Sequence, residues 1–143
     1  MKVVLQRVNH AKVTSDKVNN QIKKGFLLLV GLEEGDQLED VERIALKISK
    51  TRLFEDENGK LNLDIKQVSG SILSISQFTL AANTKKGNRP SFTNAMEPNL
   101  AKEYYEKFNE IIREQGISVL EGDFGNHMNI ELDNDGPVTI IFE

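Results

Sequence analysis

The chain of 143 residues contains no cysteine, so a disulfide framework, a thiolate nucleophile and a Cys-based zinc site are all excluded. It has only two histidines, His10 and His127, which leaves few candidate bases for nucleophilic or metal chemistry. Long apolar runs are missing too. The longest, Phe26-Leu27-Leu28-Leu29-Val30, is far short of the roughly 20 residues a bilayer span needs. The N-terminal Met1-Lys2-Val3-Val4-Leu5-Gln6-Arg7 lacks the apolar stretch and small-residue cleavage site of an export signal. Together these absences predict a cytoplasmic protein with no membrane partner. Neither GxxxxGK[ST] nor GxGxxG occurs, so no phosphate cradle of those types is present. Charge of one sign is also scarce. With 18 basic and 22 acidic residues the net charge is −4, which argues against a broad non-specific nucleic-acid coat but not against a local basic patch.

What is there is an ordinary globular composition, 38% hydrophobic and 28% charged, sized for one domain over residues 1–143. Val3, Leu5 and Val8 suggest a first strand. Val13 and Val18 flank Ser15-Asp16-Lys17, a plausible hairpin turn. Gly25 opens the unbroken apolar run to Val30, which suits a strand covered on both faces. From Leu38 the period changes: Val41, Ile44, Ala45 and Ile48 fall on one stripe of a helix, with Asp36 as the expected N-cap. Asp56 to Lys60 reads as a turn, and Ser71 to Phe78 as an interior strand. A second helix is predicted from Pro98 to a glycine stop at Gly116. Two final strands are expected around Met128–Leu132 and Val138–Phe142, joined by Asn134-Asp135-Gly136-Pro137. The sum is an α+β, barrel-like domain.

Three segments carry polar groups in places that invite chemistry. Ser76-Gln77-Phe78-Thr79 puts hydroxyls and an amide at the end of a core strand; it also reads simply as a strand fraying into a loop. Asn134-Asp135-Gly136-Pro137 has the composition of a hairpin turn. Lys85, Lys86 and Arg89 sit in a Gly- and Pro-containing segment ahead of Phe92, which fits either phosphate contact or a solvated loop. Asp123, His127 and Glu131 recur every four residues, but Gly122 and Gly125 disfavour a helix that would bring them together, so no metal is assigned.

Taken in order and spacing, these segments resemble the D-aminoacyl-tRNA deacylases (the D-tyrosyl-tRNA deacylase family). The likeness extends to Val4-Leu5-Gln6-Arg7-Val8, to Arg52-Leu53-Phe54-Glu55-Asp56 with Gly59-Lys60-Leu61-Asn62, and to Gly122-Asp123-Phe124-Gly125. Asn126-His127 and Ala81-Ala82-Asn83 depart from the family's usual residues. The resemblance implies a β-barrel-like, mostly antiparallel sheet with two main helices, working as a homodimer. It implies hydrolysis of the ester joining a D-amino acid to tRNA, without a cofactor. Ser76, Gln77, Phe78 and Thr79 are its implied catalytic segment. Gly136 and Pro137, joined by a cis peptide and supported by Arg7, are its implied chiral filter, lent by the partner subunit. Such a main-chain clamp would grip the α-ammonium group and exclude an L side chain, while glycine would escape exclusion. Lys85, Lys86 and Arg89 are candidates for tRNA phosphates. The competing readings are a non-catalytic RNA- or nucleotide-binding module and a small hydrolase of D-amino-acid esters or peptides.

Overall fold

A computed structural model describes residues 1–143. The strands are β1 (Lys2–Thr14), β2 (Asn19–Ile22), β3 (Gly25–Gly31), β4 (Arg52–Glu55), β5 (Leu61–Asp64), β6 (Ser71–Ser76), β7 (Ser118–Glu121) and β8 (Asn129–Phe142). Helix α1 spans Leu38–Lys50 and α2 spans Pro98–Glu114. The principal sheet runs β2-β1-β3-β6-β7, with β8 on the other side of β1, and it curls until β2 approaches β6 and β7. Pairing is antiparallel between β1 and each of β2, β3 and β8, and parallel from β3 to β6 to β7. β4 and β5 form a separate hairpin across the predicted 56–60 turn. The α+β, mostly antiparallel, barrel-like expectation is thus met.

Two apolar layers hold it together. On one face Val3, Leu5, Phe26, Leu28 and Val30 meet Val41, Ile44 and Ile48 of α1 and Phe108 and Ile112 of α2. Inside the curl Val8, Val13, Leu27, Leu73 and Ile75 form a smaller cluster. β3 feeds both layers alternately, which is why its sequence is apolar without a break. Helix α2 begins at Pro98 as predicted, and the Glu97 carboxylate accepts the Asn99 and Leu100 amides, each at 3.0 Å.

Three expectations need correction. The N-cap of α1 is Gln37, whose amide donates to Asp40 at 2.9 Å; Asp36 instead accepts the Glu33 amide at 2.6 Å, closing the loop before the helix. The strand from Ser71 stops at Ser76, and Phe78–Ala81 turns into a 3-10 helix. The two final strands are one. Both halves of β8 pair with β1, from Thr14 opposite Asn129 to Val3 opposite Phe142, so no hairpin forms at residues 134–137. A thirteen-residue β1 offers a partner to both halves, and the ladder resumes on either side of the irregular stretch instead of ending in a turn. Strand β7 had no counterpart in the sequence reading.

Candidate active site

Parallel pairing with β3 carries β6 to Ser76, opposite Val30. The Gln77 amide adds one further bond to the Val30 carbonyl at 2.7 Å before the chain turns. Gly31 makes that turn possible: a Cβ there would stand 2.8 Å from the Leu80 Cβ and 3.0 Å from the Gln77 carbonyl oxygen. Phe78 and Thr79 open the 3-10 helix, where the first amide hydrogens have no intrahelical acceptor. The Gln77 side-chain amide donates to the Thr79 hydroxyl at 2.5 Å. No carboxylate or imidazole is bonded to that hydroxyl.

The bend at the end of β6 forms one wall of a cleft of about 730 Å³. Ser76, Gln77 and Phe78 line it together with Phe92, Phe124 and His127. Phe78 and Phe92 meet edge to face, their ring centroids 5.4 Å apart, and Phe78 is 57% exposed. Thr79 is exposed and is not among the lining residues. Behind the cleft, the buried Tyr105 hydroxyl donates to the Ser74 carbonyl at 2.7 Å, and its ring packs on Phe124. Burial pushes the Tyr105 pKa up to about 12. Phe124 and Tyr105 were given no role at the sequence level. Phe124 lies within Gly122-Asp123-Phe124-Gly125, but Tyr105 carries no signal beyond its place in an apolar helical stripe.

Lys85, Lys86 and Arg89 lie on an exposed loop closed by paired main-chain bonds between Asn83 and Ser91, at 2.7 and 3.0 Å. None of the three forms an ion pair. Asp123, His127 and Glu131 do not gather into a metal-ligating group; Asp123 instead accepts from Ser15 and Asn126, each at 2.8 Å.

The Gly136-Pro137 segment lies on β8. Between Gln6 opposite Thr139 and Val8 opposite Asn134, four residues (Asp135 to Val138) face the single residue Arg7. The excess chain bulges outward, leaving Gly136 and Pro137 exposed, and their peptide is cis. Gly136 has φ +127, a conformation L side chains rarely adopt, and a Cβ would stand 3.0 Å from the Val138 nitrogen. Arg7 is 5% exposed beneath the bulge. Its guanidinium donates to the Leu53 carbonyl at 2.6 Å and to the Asp135 carbonyl at 3.2 Å, and pairs with the Asp135 carboxylate at 3.2 Å.

One chain does not bring the two motifs together. Arg7 pairs with Phe26, and Phe26 with Ile72, so Ser76 lies three strand steps from β8 and four residues further along. That is roughly 14 Å across the sheet and roughly 13 Å along it. Neither Gly136 nor Pro137 lines the cleft.

A curled sheet packed against two helices, with a cleft at the end of a parallel strand, defines a small barrel-like α+β class. A solved structure titled "c-Myc DNA Unwinding Element Binding Protein" shares this architecture with a TM-score of 0.91 at 37% identity, over 100% of this chain and 98% of that one. Another, "Structural Analysis of a probable eukaryotic D-amino acid tRNA deacylase", has a TM-score of 0.83 at 16% identity, over 99% of this chain and 97% of that one, and speaks for the fold alone. The chain belongs to the D-Tyr-tRNA(Tyr) deacylase family, whose model matches residues 4–143. It is 56% identical to the D-aminoacyl-tRNA deacylase of Staphylococcus epidermidis over 143 residues, all of this chain and 95% of that protein.

Proposed function

We propose that this protein hydrolyses the ester bond of D-aminoacyl-tRNA, releasing the D-amino acid and free tRNA in the cytoplasm. The observation that carries the reading is the family match over residues 4–143, which spans both the cleft motif and the bulge motif. In this reading Gly136 and Pro137 of one subunit enter the partner's cleft, so the enzyme is a homodimer. Two features support that arrangement. The motifs are too far apart to meet within one chain, and β8, the strand bearing the bulge, has no partner on its outer edge, where Ile141 is 62% exposed.

The chemistry follows from the groups at hand. Amide hydrogens of Phe78 and Thr79 receive the oxyanion that forms when water attacks the ester carbonyl, a contribution worth several kcal/mol in comparable sites. The substrate's own 2′-hydroxyl assists the attacking water. Water supplies OH to the acyl carbon and a proton to the departing ribose oxygen. Ser76 and Gln77 shape the wall, and Gln77 also fixes Thr79 through its hydroxyl. Arg7 holds the bulge through the Asp135 carbonyl. Main-chain carbonyls beside Gly136 and Pro137 accept the α-ammonium group, so an L side chain collides with the clamp whereas a D side chain projects away. Glycine has no side chain to collide. Lys85, Lys86 and Arg89 contact tRNA phosphates.

Matched D-, L- and glycyl-tRNA test this directly. Release from the D and glycyl forms with the L form intact is the expected pattern. No release from any of them identifies a non-catalytic RNA-binding module. Equal hydrolysis of free D-amino-acid esters identifies a hydrolase that does not need tRNA.

A further inference from the structure

A second concentration of positive charge lies away from the cleft. Helix α1 turns Val41, Ile44, Ala45 and Ile48 inward, leaving Arg43, Lys47 and Lys50 exposed at three- and four-residue intervals. Arg52, two residues past the helix, extends the row. With Leu46 and Thr51 these four cations line a surface groove of about 560 Å³ that contains no carboxylate. Only Arg43 has an acidic partner, Asp40 at 3.6 Å. The Arg52 guanidinium is oriented by the Asn62 main-chain carbonyl at 2.8 Å and by the Asn62 side chain. Cations in the last turn of a helix are favoured by its dipole, which accounts for Lys47 and Lys50. It accounts for neither mid-helix Arg43 nor Arg52 beyond the helix end, and the chain as a whole is acidic.

The groove adjoins the strand that carries the bulge. Arg52 precedes Leu53, whose carbonyl is held by Arg7, and Arg43 donates to the Glu143 main-chain oxygen at 3.5 Å, just past the end of β8. We propose that this groove is a second phosphate-binding surface for tRNA, contacting its backbone beyond the acylated terminus. This rests on the reading above. If the bulge of one subunit enters the partner's cleft, the groove of that same subunit lies beside the tRNA held there. One tRNA then spans both protomers, with its 3′ end in one cleft and its backbone on the other subunit's α1.

The test compares wild type with the double variant Lys47→Glu/Lys50→Glu, and with Lys47→Arg/Lys50→Arg as the charge-retaining control. Three quantities are read: deacylation of D-aminoacyl-tRNA, hydrolysis of a small D-aminoacyl-adenosine ester, and the salt dependence of uncharged tRNA binding. In the Glu variant the KM for the tRNA ester is expected to rise about tenfold, and the salt slope of binding to fall by about 2. The small ester and the Arg variant should behave like wild type. An unchanged KM and slope overturns the proposal, and so does an equal loss on both esters, which would place the effect in the cleft. A wild type inactive on both esters refutes the deacylase reading, while the binding slope still decides whether the groove holds tRNA.

Discussion

Thr79 has the residue type of a nucleophile, but its surroundings argue otherwise. A threonine hydroxyl needs a base to take its proton. The only group bonded to it is the Gln77 amide, a donor. Thr79→Ala is therefore expected to retain deacylation to within several-fold, measured as kcat/KM on D-aminoacyl-tRNA. Loss of nearly all turnover would restore the hydroxyl as nucleophile. Arg7 shows how far residue type alone can go. On the sequence it is a strand cation as suited to solvent as to the interior. The fold buries it and satisfies it with the Leu53 carbonyl of β4 at 2.6 Å and the Asp135 carbonyl of the bulge at 3.2 Å. The Ser76-Gln77-Phe78-Thr79 motif was legible, but which of its members face the cleft depends on the turn after Gln77.

At the scale of elements, α2 and β6 are tied by the Tyr105 hydroxyl and the Ser74 carbonyl, two residues before Ser76. That carbonyl also accepts the Gly122 amide at 3.0 Å, so deleting the hydroxyl leaves no orphaned acceptor. Tyr105→Phe keeps the ring against Phe124 and is expected to cost about 1 kcal/mol, read from denaturant midpoints. A loss several times larger would mean that the hydroxyl also supports other buried polar groups. Helices and interior strands were readable because their periods are local: α1 and α2 follow apolar stripes, and β3 its unbroken run. The middle of β8 was not. Asn134-Asp135-Gly136-Pro137 has hairpin chemistry, and only the presence of a long antiparallel partner turns it into a bulge.

For the molecule as a whole, acid should be the weak side. The carboxylates of Asp40, Asp56 and Glu97 are held below their ordinary values of 3.8, 3.8 and 4.5 chiefly by the backbone amides of Gln37, Lys60 and Asn99. Asp123 is held below 3.8 first by Asn126 and then by Ser15. Because these groups are more acidic in the folded state, the unfolded chain binds more protons in acid. Their stabilisation is complete above the ordinary values and is lost as pH falls through the folded ones. Tyr105 acts in the opposite direction, its stabilisation present below pH 10 and lost as pH rises through about 12. Thermal midpoints should therefore hold level between about pH 5 and pH 9 and fall beyond both ends. A midpoint that does not decline below pH 4 would contradict the acid-side assignment.

Sequence by itself determined the fold class, most strands, both helices and the motifs that mark the family, because each is written in short-range periods or in residue order. Tertiary structure alone decided that Gly136-Pro137 stands on an exposed edge over a buried arginine, and that the cleft and this segment lie apart in one chain. Those outcomes depend on which distant strand supplies hydrogen-bond partners and where the sheet curls, and neither is encoded in any local stretch of residues.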